Sequence, residues 1–131
     1  MIGIVFVSHS ARLAEGVREL AAQMTGGAVK MAVAGGLSDG SLGTDAERIG
    51  EAIREVRGDD GVLILMDLGS AVMSAQVAVE MLEGSGGPVR LSNAPMVEGG
   101  IVAAVEASIG KPLDEVEQAA VAAAAMRKVE E

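Results

Sequence analysis

The side chains best suited to chemistry follow two apolar runs of the chain. His9, the only histidine, comes shortly after the apolar run 2–7, and Asp67 directly follows the apolar run 62–66. A carboxylate that binds one imidazole nitrogen fixes the tautomer and leaves the other nitrogen as a nucleophile. If the two runs are neighbouring strands of one sheet, Asp67 reaches the imidazole. We therefore predict that His9 and Asp67 form a nucleophilic pair.

The residues after Asp67 suit a phosphate group. Gly69 and Ser70 open a predicted helix, whose free N–H groups and positive dipole end favour anionic oxygens. Glycine at this place lets the backbone approach a ligand closely. The combination predicts that the pair His9 and Asp67 acts on a phosphoryl group.

Both side chains also admit a purely structural interpretation. A lone histidine in a loop can be without function. Asp67 can serve as a helix cap by accepting from the backbone N–H groups of Gly69 or Ser70, and its two oxygens allow both roles together. A small interaction module without catalysis therefore stays open.

The elements that must position these residues alternate between strands and helices. This pattern predicts an α/β fold with a parallel sheet covered by helices on both faces, and chemistry at the carboxyl ends of the strands. On the fourth helix we predict that Val97, Ile101, Val105 and Ile109 face the core. The predicted strands are 2–7, 29–33, 62–66 and 89–91. Four of the predicted helices span about 13–24, 71–82, 97–109 and 113–128, and another, with Ile49, Ile53 and Val56 on one face, begins after a cap at Thr44 or Asp45.

The composition narrows the class of protein. The chain has 131 residues and a mass of 13.2 kDa, which predicts a single domain over 1–131. The net charge of −9 argues against a nucleic-acid surface, and no apolar run approaches the roughly 20 residues needed to span a membrane. With no cysteine and one histidine, we expect no disulfide, no metal site and no bound cofactor. We expect a cytoplasmic protein.

Several α/β classes with chemistry at the same sheet edge lack residues that they require. A response-regulator receiver needs an acidic cluster after the first strand and a lysine after the fourth, and neither is present. Histidine phosphatases need a second histidine, and a flavodoxin-type module needs aromatic side chains against the flavin. A serine hydrolase needs a Gly-x-Ser-x-Gly elbow, which the sequence does not contain.

Three motifs together resemble one known family. From residue 1 to about 128, the chain is similar to the DhaM family, the IIA-like phosphotransferase subunits of the phosphoenolpyruvate-dependent dihydroxyacetone kinase. The motifs are GIVFVSHS at 3–10, GVLILMDLGSA at 61–71 and NAPMVEG at 93–99. The resemblance implies the mannose-type IIA fold, with four parallel strands in the order 2-1-3-4, and a homodimer. The mostly apolar helix 71–82 suits a subunit contact, and burial inside one subunit is an equal interpretation.

The resemblance also implies a phosphotransferase with a phosphohistidine intermediate. His9 receives phosphate from the phosphocarrier HPr and passes it to ADP held in the subunit DhaL, and the ATP formed serves dihydroxyacetone phosphorylation on DhaK. Asp67 matches the family position that binds Nδ1 of the active histidine, which leaves Nε2 to carry the phosphate. Some relatives carry HPr-like and Enzyme I-like domains after this one, and here we expect these to be separate proteins.

Free backbone N–H groups near three residues are expected to hold the phosphoryl oxygens in this mechanism: Ser10, Gly69 and Ser70. Arg12 is a further candidate for contact with the phosphate or a partner, and a solvated surface charge is an equal interpretation. The rival function is that of a mannose-type sugar transporter IIA domain. Its loop usually reads Asp followed by a Gly-Gly-Ser-Pro-like stretch, whereas this chain has Leu68-Gly69-Ser70-Ala71 after the aspartate.

Overall fold

The computed structural model contains one four-stranded sheet and five α-helices in its described part, residues 1–84 and 86–130; Ser85 and Glu131 lie outside that part. All strand pairs are parallel, and the strand order is 2-1-3-4, which confirms the predicted fold class. In chain order the elements are β1 (Gly3–Ser8), α1 (Ala11–Thr25), β2 (Met31–Gly35), α2 (Ala46–Val56), β3 (Val62–Met66), α3 (Ser70–Glu80), β4 (Val89–Leu91), α4 (Met96–Ser108), α5 (Leu113–Ala122) and a 3₁₀ turn (Ala123–Ala125).

The core consists of two layers because the central strands are buried on both faces. Ile4, Phe6 and Leu65 face α1, α4 and α5, while Val5 and Ile64 face α2 and α3. This alternation follows from the pleat of a strand, in which successive side chains point to opposite faces. The predicted apolar face of α2, formed by Ile49, Ile53 and Val56, is buried against the second layer.

Most predicted elements agree with the observed ones to within a few residues, and two of the differences have a clear structural reason. The second strand runs from Met31 to Gly35 rather than over 29–33, because its ladder with β1 continues until Ser8 lies opposite Gly35. The last helix ends at Ala122 rather than near 128. Ala123 is the last buried residue of that segment, and the exposed residues 124–130 have no core contact that would sustain a helix.

The predicted buried face of α4 is wrong. Val97, Val105 and Ile109 are exposed, Ile109 at 67%, and Ile101 is only partly buried. A side of small residues faces the core instead. This side packs so closely that a Cβ on Gly100 would lie 2.6 Å from the Phe6 ring, and larger side chains would not fit there. The small residues on this side are Gly99, Gly100, Ala103, Ala104 and Ala107.

A similar arrangement of small buried residues and large exposed ones occurs on two other helices. On α1, Ala14 and Ala21 are buried, and on α3, Ala71, Ala75 and Ala78 are buried. Small residues let both helices approach the sheet closely, and their larger apolar side chains point outward. The exposed ones are Leu13, Leu20 and Met24 on α1, Met73 and Val77 on α3, and Met81 directly after α3. No helix in the described residues is long and apolar enough to cross a membrane.

Gly35 permits the close approach that places the start of α1 against the end of β2. A Cβ at this position would lie 2.7 Å from the Ala11 Cα and 2.8 Å from the Ser10 carbonyl oxygen, and neither backbone atom can move without moving the turn that carries His9. We expect Gly35→Ala to lower the free energy of unfolding by about 1–3 kcal/mol, as overpacking does. Urea unfolding followed by circular dichroism measures this loss.

Gly16→Ala is the matched control for that prediction. Gly16 lies inside α1, and a Cβ there meets no atom within 4 Å. The substitution is expected to raise the free energy of unfolding by about 0.5–1 kcal/mol through helix propensity. Equal stability of the Gly35→Ala variant and the wild type would contradict the close contact.

Candidate active site

The sheet order brings His9 and Asp67 together. β1 and β3 are adjacent parallel strands in which Val7 lies opposite Met66, so the residues that follow them emerge at the same edge. The backbone N–H of Asp67 donates to the Val7 carbonyl at 3.1 Å and extends the ladder by one step. The strand adjacency that the sequence prediction required is therefore present.

The imidazole of His9 hydrogen-bonds the carboxylate of Asp67. The distance from Nδ1 to Oδ1 is 3.0 Å, and the His9 and Asp67 side chains are 26% and 10% exposed. An ionised carboxylate only accepts hydrogen bonds, so Nδ1 carries the proton. In the neutral ring Nε2 then has a free lone pair, which is the state of a nucleophile.

Asp67 is fixed by four donors. Oδ1 accepts from Nδ1–H of His9 and from the backbone N–H of Leu68 at 2.8 Å. Oδ2 accepts from the backbone N–H of His9 and from the Ser8 hydroxyl, both at 2.9 Å. Burial raises the pKa of Asp67, but the donors from His9 and Ser8 outweigh burial, so that this pKa lies below its usual value. The carboxyl is therefore a charged acceptor at neutral pH.

Ser70 lies at the other nitrogen of the ring. Its Oγ is 2.8 Å from Nε2 of His9, and because Nε2 has only a lone pair to offer, the hydroxyl donates this hydrogen bond. Ser70 is the first residue of α3, whose N-cap position Gly69 makes no side-chain cap. Within the described residues the backbone N–H groups of Gly69 and Ser70 donate to no protein acceptor. These N–H groups can bind an anion beside Nε2.

Asp67 does not cap α3 in the way that the sequence predicted. Its backbone donors are Leu68 and His9, not Gly69 or Ser70. Asp67 therefore orients the imidazole and leaves the N-terminus of α3 uncapped. This division of contacts leaves the free N–H groups available to a ligand.

Ser10 and Arg12 lie at the start of α1, on the other side of His9. The backbone N–H of Ser10 already donates to the Ser8 hydroxyl at 3.0 Å, and the Ser10 hydroxyl caps α1 by accepting from Leu13 N–H at 3.3 Å. Only the hydroxyl proton of Ser10 is thus available for a phosphoryl oxygen. Arg12 is exposed and makes no hydrogen bond or ion pair within 1–84 and 86–130.

Two further features of the site were not predicted from the sequence. The backbone N–H of Gly43 donates to the His9 carbonyl at 2.9 Å and fixes the β2–α2 loop to His9. Ser8 contributes the hydroxyl that binds Asp67. The signal for Ser8 was a serine at the end of a strand that is otherwise apolar or glycine.

The arrangement can perform nucleophilic phosphoryl transfer. Nε2 supplies the lone pair, Asp67 stabilises the positive charge that the ring gains, and N–H and O–H donors stand next to the position of attack. Among the described residues no group of three or more His, Cys, Asp or Glu side chains is arranged to hold a metal ion.

Comparison with known proteins finds a matching family model and named relatives. The family model of the PTS system fructose IIA component matches residues 3–117. A relative from Escherichia coli strain K12, named as the phosphoryl donor subunit DhaM of PEP-dependent dihydroxyacetone kinase, is 47% identical over 120 residues, which are 88% of this chain and 25% of the relative. A Listeria innocua relative, the phosphoryl donor subunit DhaM of PEP-dependent dihydroxyacetone kinase 2, is 38% identical over 83% of this chain and 88% of its own length.

The chain thus spans about a quarter of the length of the first relatives and most of the Listeria one. Among solved structures, the protein of unknown function EF1359 is similar with a TM-score of 0.76 and 35% identity, over 92% of this chain and 93% of that one. A sigma-54 interaction domain protein from Enterococcus faecalis, at 16% identity and a TM-score of 0.61, shares the fold.

Proposed function

The chain belongs to the family of PTS system fructose IIA components, and we propose that it is a phosphoryl carrier whose phosphate is held on Nε2 of His9. The observation that carries the proposal is the hydrogen-bonded row from Asp67 through His9 to Ser70, with contacts of 3.0 and 2.8 Å. In this row the Asp67 carboxylate keeps the proton on Nδ1 of His9. The lone pair on Nε2 then lies next to the free backbone N–H groups of Gly69 and Ser70.

We propose the dihydroxyacetone system as the pathway. Phosphate comes from phospho-HPr and leaves to ADP held in the subunit DhaL, and the ATP formed serves DhaK. The support is that relatives at 38–47% identity bear the name phosphoryl donor subunit of that kinase. We place the protein in the cytoplasm, where phosphoenolpyruvate and these partners occur.

In the first step the Nε2 lone pair of His9 attacks the phosphorus atom of the donor phosphohistidine. The new N–P bond forms as the donor's N–P bond breaks, and Asp67 stabilises the ring while Nδ1 keeps its proton. The Ser70 hydroxyl releases Nε2 and donates to a phosphoryl oxygen, together with the N–H groups of Gly69 and Ser70 and the hydroxyl of Ser10. In the second step a β-phosphate oxygen of ADP attacks the phosphorus, and the lone pair returns to Nε2.

Ser70→Ala is expected to slow the uptake of phosphate about 10²-fold, the usual loss when one preorganised donor to a reacting oxygen is removed. The reason is that the hydroxyl is the only side-chain donor at Nε2 within the described residues. Quenched-flow sampling with intact-mass detection measures the rate. The matched control is Ser74→Ala, one turn later on α3, where the hydroxyl bonds Thr44. Equal rates for Ser70→Ala and Ser74→Ala would contradict the role of Ser70.

The acceptor distinguishes the proposal from its rival, a sugar transporter IIA domain, which the description of the family model favours. The protein is phosphorylated with phosphoenolpyruvate, Enzyme I and HPr, freed of these, and mixed with ADP-loaded DhaL. ATP formation with loss of the phosphoryl mass supports the dihydroxyacetone pathway. Retention of the phosphate with DhaL, and its transfer to a sugar transporter IIB protein, would support the rival.

We also propose that the chain forms a homodimer. Three apolar side chains on α3 and at its C-terminal end face outward, which suits the subunit contact expected for this helix. They are Met73, Val77 and the C-cap residue Met81, which are 74%, 45% and 59% exposed. Sedimentation equilibrium of the wild type and of a Met73→Glu, Met81→Glu double variant tests this proposal. A dimer that the double variant dissociates is the expected result, and a wild type that is monomeric contradicts it.

A further inference from the structure

Ser8 is the polar last residue of a buried strand. β1 reads Gly-Ile-Val-Phe-Val-Ser, and the Ser8 side chain is 0% exposed. Within the described residues only one other polar or charged residue is buried, Ser92 at 4%. Burial of a hydroxyl costs free energy unless the hydroxyl is hydrogen-bonded. The hydrogen-bond partners of Ser8 therefore indicate its role.

The direction of both Ser8 hydrogen bonds follows from its partners. The Ser10 backbone N–H lies 3.0 Å from Oγ and can only donate, and the Asp67 carboxylate lies 2.9 Å from Oγ and can only accept. The hydroxyl therefore accepts from Ser10 and gives its one proton to Oδ2 of Asp67. Because the two bonds share one oxygen, each polarises and strengthens the other.

The contact with Ser8 fixes the orientation of the Asp67 carboxylate toward the imidazole. Oδ2 is held by the Ser8 hydroxyl and by the backbone N–H of His9, both at 2.9 Å. In this orientation Nδ1 of His9 lies 3.0 Å from Oδ1 and 3.2 Å from Oδ2. Without the hydroxyl, Oδ2 keeps one backbone donor, and the carboxyl plane can rotate away from the ring.

We propose that Ser8 is a positioning residue for phosphoryl transfer: its buried hydroxyl holds Asp67 in the orientation that keeps the proton on Nδ1 of His9 and the lone pair on Nε2. This inference rests on the proposed carrier function of His9. Ser8 touches neither the phosphate nor Nε2, and it acts on the reaction through Asp67.

The charge state of Asp67 depends on the same contact. Burial raises the pKa of Asp67, and hydrogen bonds from the His9 backbone, the Ser8 hydroxyl and the His9 ring lower it to a net value below the usual one. The His9 ring is the ionisable group that faces Asp67 within the described residues. Removal of the hydroxyl leaves the burial effect and deletes a donor, so the pKa of Asp67 moves upward. The carboxylate is then lost at a higher pH as the solution is acidified.

Ser92 offers a closely matched control. It follows β4 as Ser8 ends β1, it is buried, and its hydroxyl accepts a backbone N–H two residues later, from Ala94 at 3.0 Å. Ser92→Ala therefore removes the same kind of turn contact as Ser8→Ala without touching Asp67. A purely structural role of Ser8 predicts the same behaviour for both variants.

The test compares Ser8→Ala, Ser8→Thr and Ser92→Ala with the wild type, by ¹³C titration of the Asp67 carboxyl and by ¹⁵N spectra of the single histidine. We expect Ser8→Ala to titrate Asp67 at higher pH, to show less of the Nδ1–H tautomer and to accept phosphate about 10- to 100-fold more slowly. Ser92→Ala is expected to match the wild type in all three measurements. Ser8→Thr, which keeps the hydroxyl, is expected to restore the Asp67 titration and the tautomer.

An Asp67 titration and a His9 tautomer in Ser8→Ala that equal those of Ser92→Ala would overturn the inference. The two spectroscopic measurements need no phosphate. A wild type that never accepts phosphate would therefore contradict the carrier function, whereas unchanged spectra in Ser8→Ala would contradict only the positioning role.

Discussion

The His9→Ala variant is expected to gain no phosphate under conditions in which the wild type gains one phosphoryl group. His9 is the single histidine, so no other imidazole can replace it. Its ring contacts Asp67 and Ser70 at a partly exposed edge of the sheet, and not the apolar core. We therefore expect the free energy of unfolding to change by only about 1 kcal/mol, the worth of an ordinary hydrogen bond.

The measurement is the intact mass of both proteins after incubation with phosphoenolpyruvate, Enzyme I and HPr. Urea unfolding of the variant serves as the control that its fold is retained. A phosphoryl group on His9→Ala would show that another residue is the acceptor. His9 would then not be the phosphoryl carrier of this protein.

Asp67→Asn is expected to slow phosphate uptake by about 10³-fold or more, in line with the tautomer effect of the equivalent change in a Ser-His-Asp triad. The carboxylate accepts from four donors, two on each oxygen, and an amide has only one oxygen. If the amide oxygen faces the Ser8 hydroxyl, the NH₂ group faces Nδ1 of His9. Nδ1 must then accept, so the proton moves to Nε2 and removes the nucleophilic lone pair.

The opposite rotamer of the introduced amide retains the oxygen near Nδ1 and places the NH₂ group against the His9 backbone N–H and the Ser8 hydroxyl. Either rotamer places the NH₂ group against one backbone N–H, that of Leu68 in the first and that of His9 in the second. Only the second also removes the acceptor of the buried Ser8 hydroxyl, so it is the costlier arrangement. The ¹⁵N spectrum of His9 in Asp67→Asn reports the tautomer directly, and we expect Nε2–H. An Nδ1–H tautomer together with a wild-type rate would contradict the role assigned to Asp67.

Continuous apolar runs alternate along the sequence with segments of helical periodicity, and this alternation was sufficient to predict the fold class. Strands that are buried on both faces have continuous apolar sequences, which makes them easy to identify. The same signal failed on α4, where both sides of the helix are apolar or small. Val97, Val105 and Ile109 have the right spacing for a core face, but the side with Gly100 can approach Phe6. Which side of α4 is buried depends on how closely the helix approaches the sheet. The spacing of apolar residues in the sequence gives no information on that distance.

The positions of His9 and Asp67 in the site followed from the rule that parallel strands end at one edge, once β1 and β3 are neighbours. The role of Ser8 was out of reach, because its partner Asp67 is 59 residues away and a serine at a strand end has many uses. The backbone N–H of Ser10 was expected to be free, and it is occupied by that same serine. Hydrogen bonds within a turn depend on its backbone dihedral angles, and the residue types alone do not determine these angles.

The most direct test of the central claim is the chemistry of the phosphorylated wild-type protein. After incubation with phosphoenolpyruvate, Enzyme I and HPr, its intact mass and ³¹P spectrum are recorded at neutral pH and again after brief acid treatment. The account predicts one phosphoryl group, bound through Nε2 of His9 and lost in acid. An unchanged mass, with HPr itself shown to be phosphorylated, or a phosphate that survives acid as a serine ester does, would contradict it.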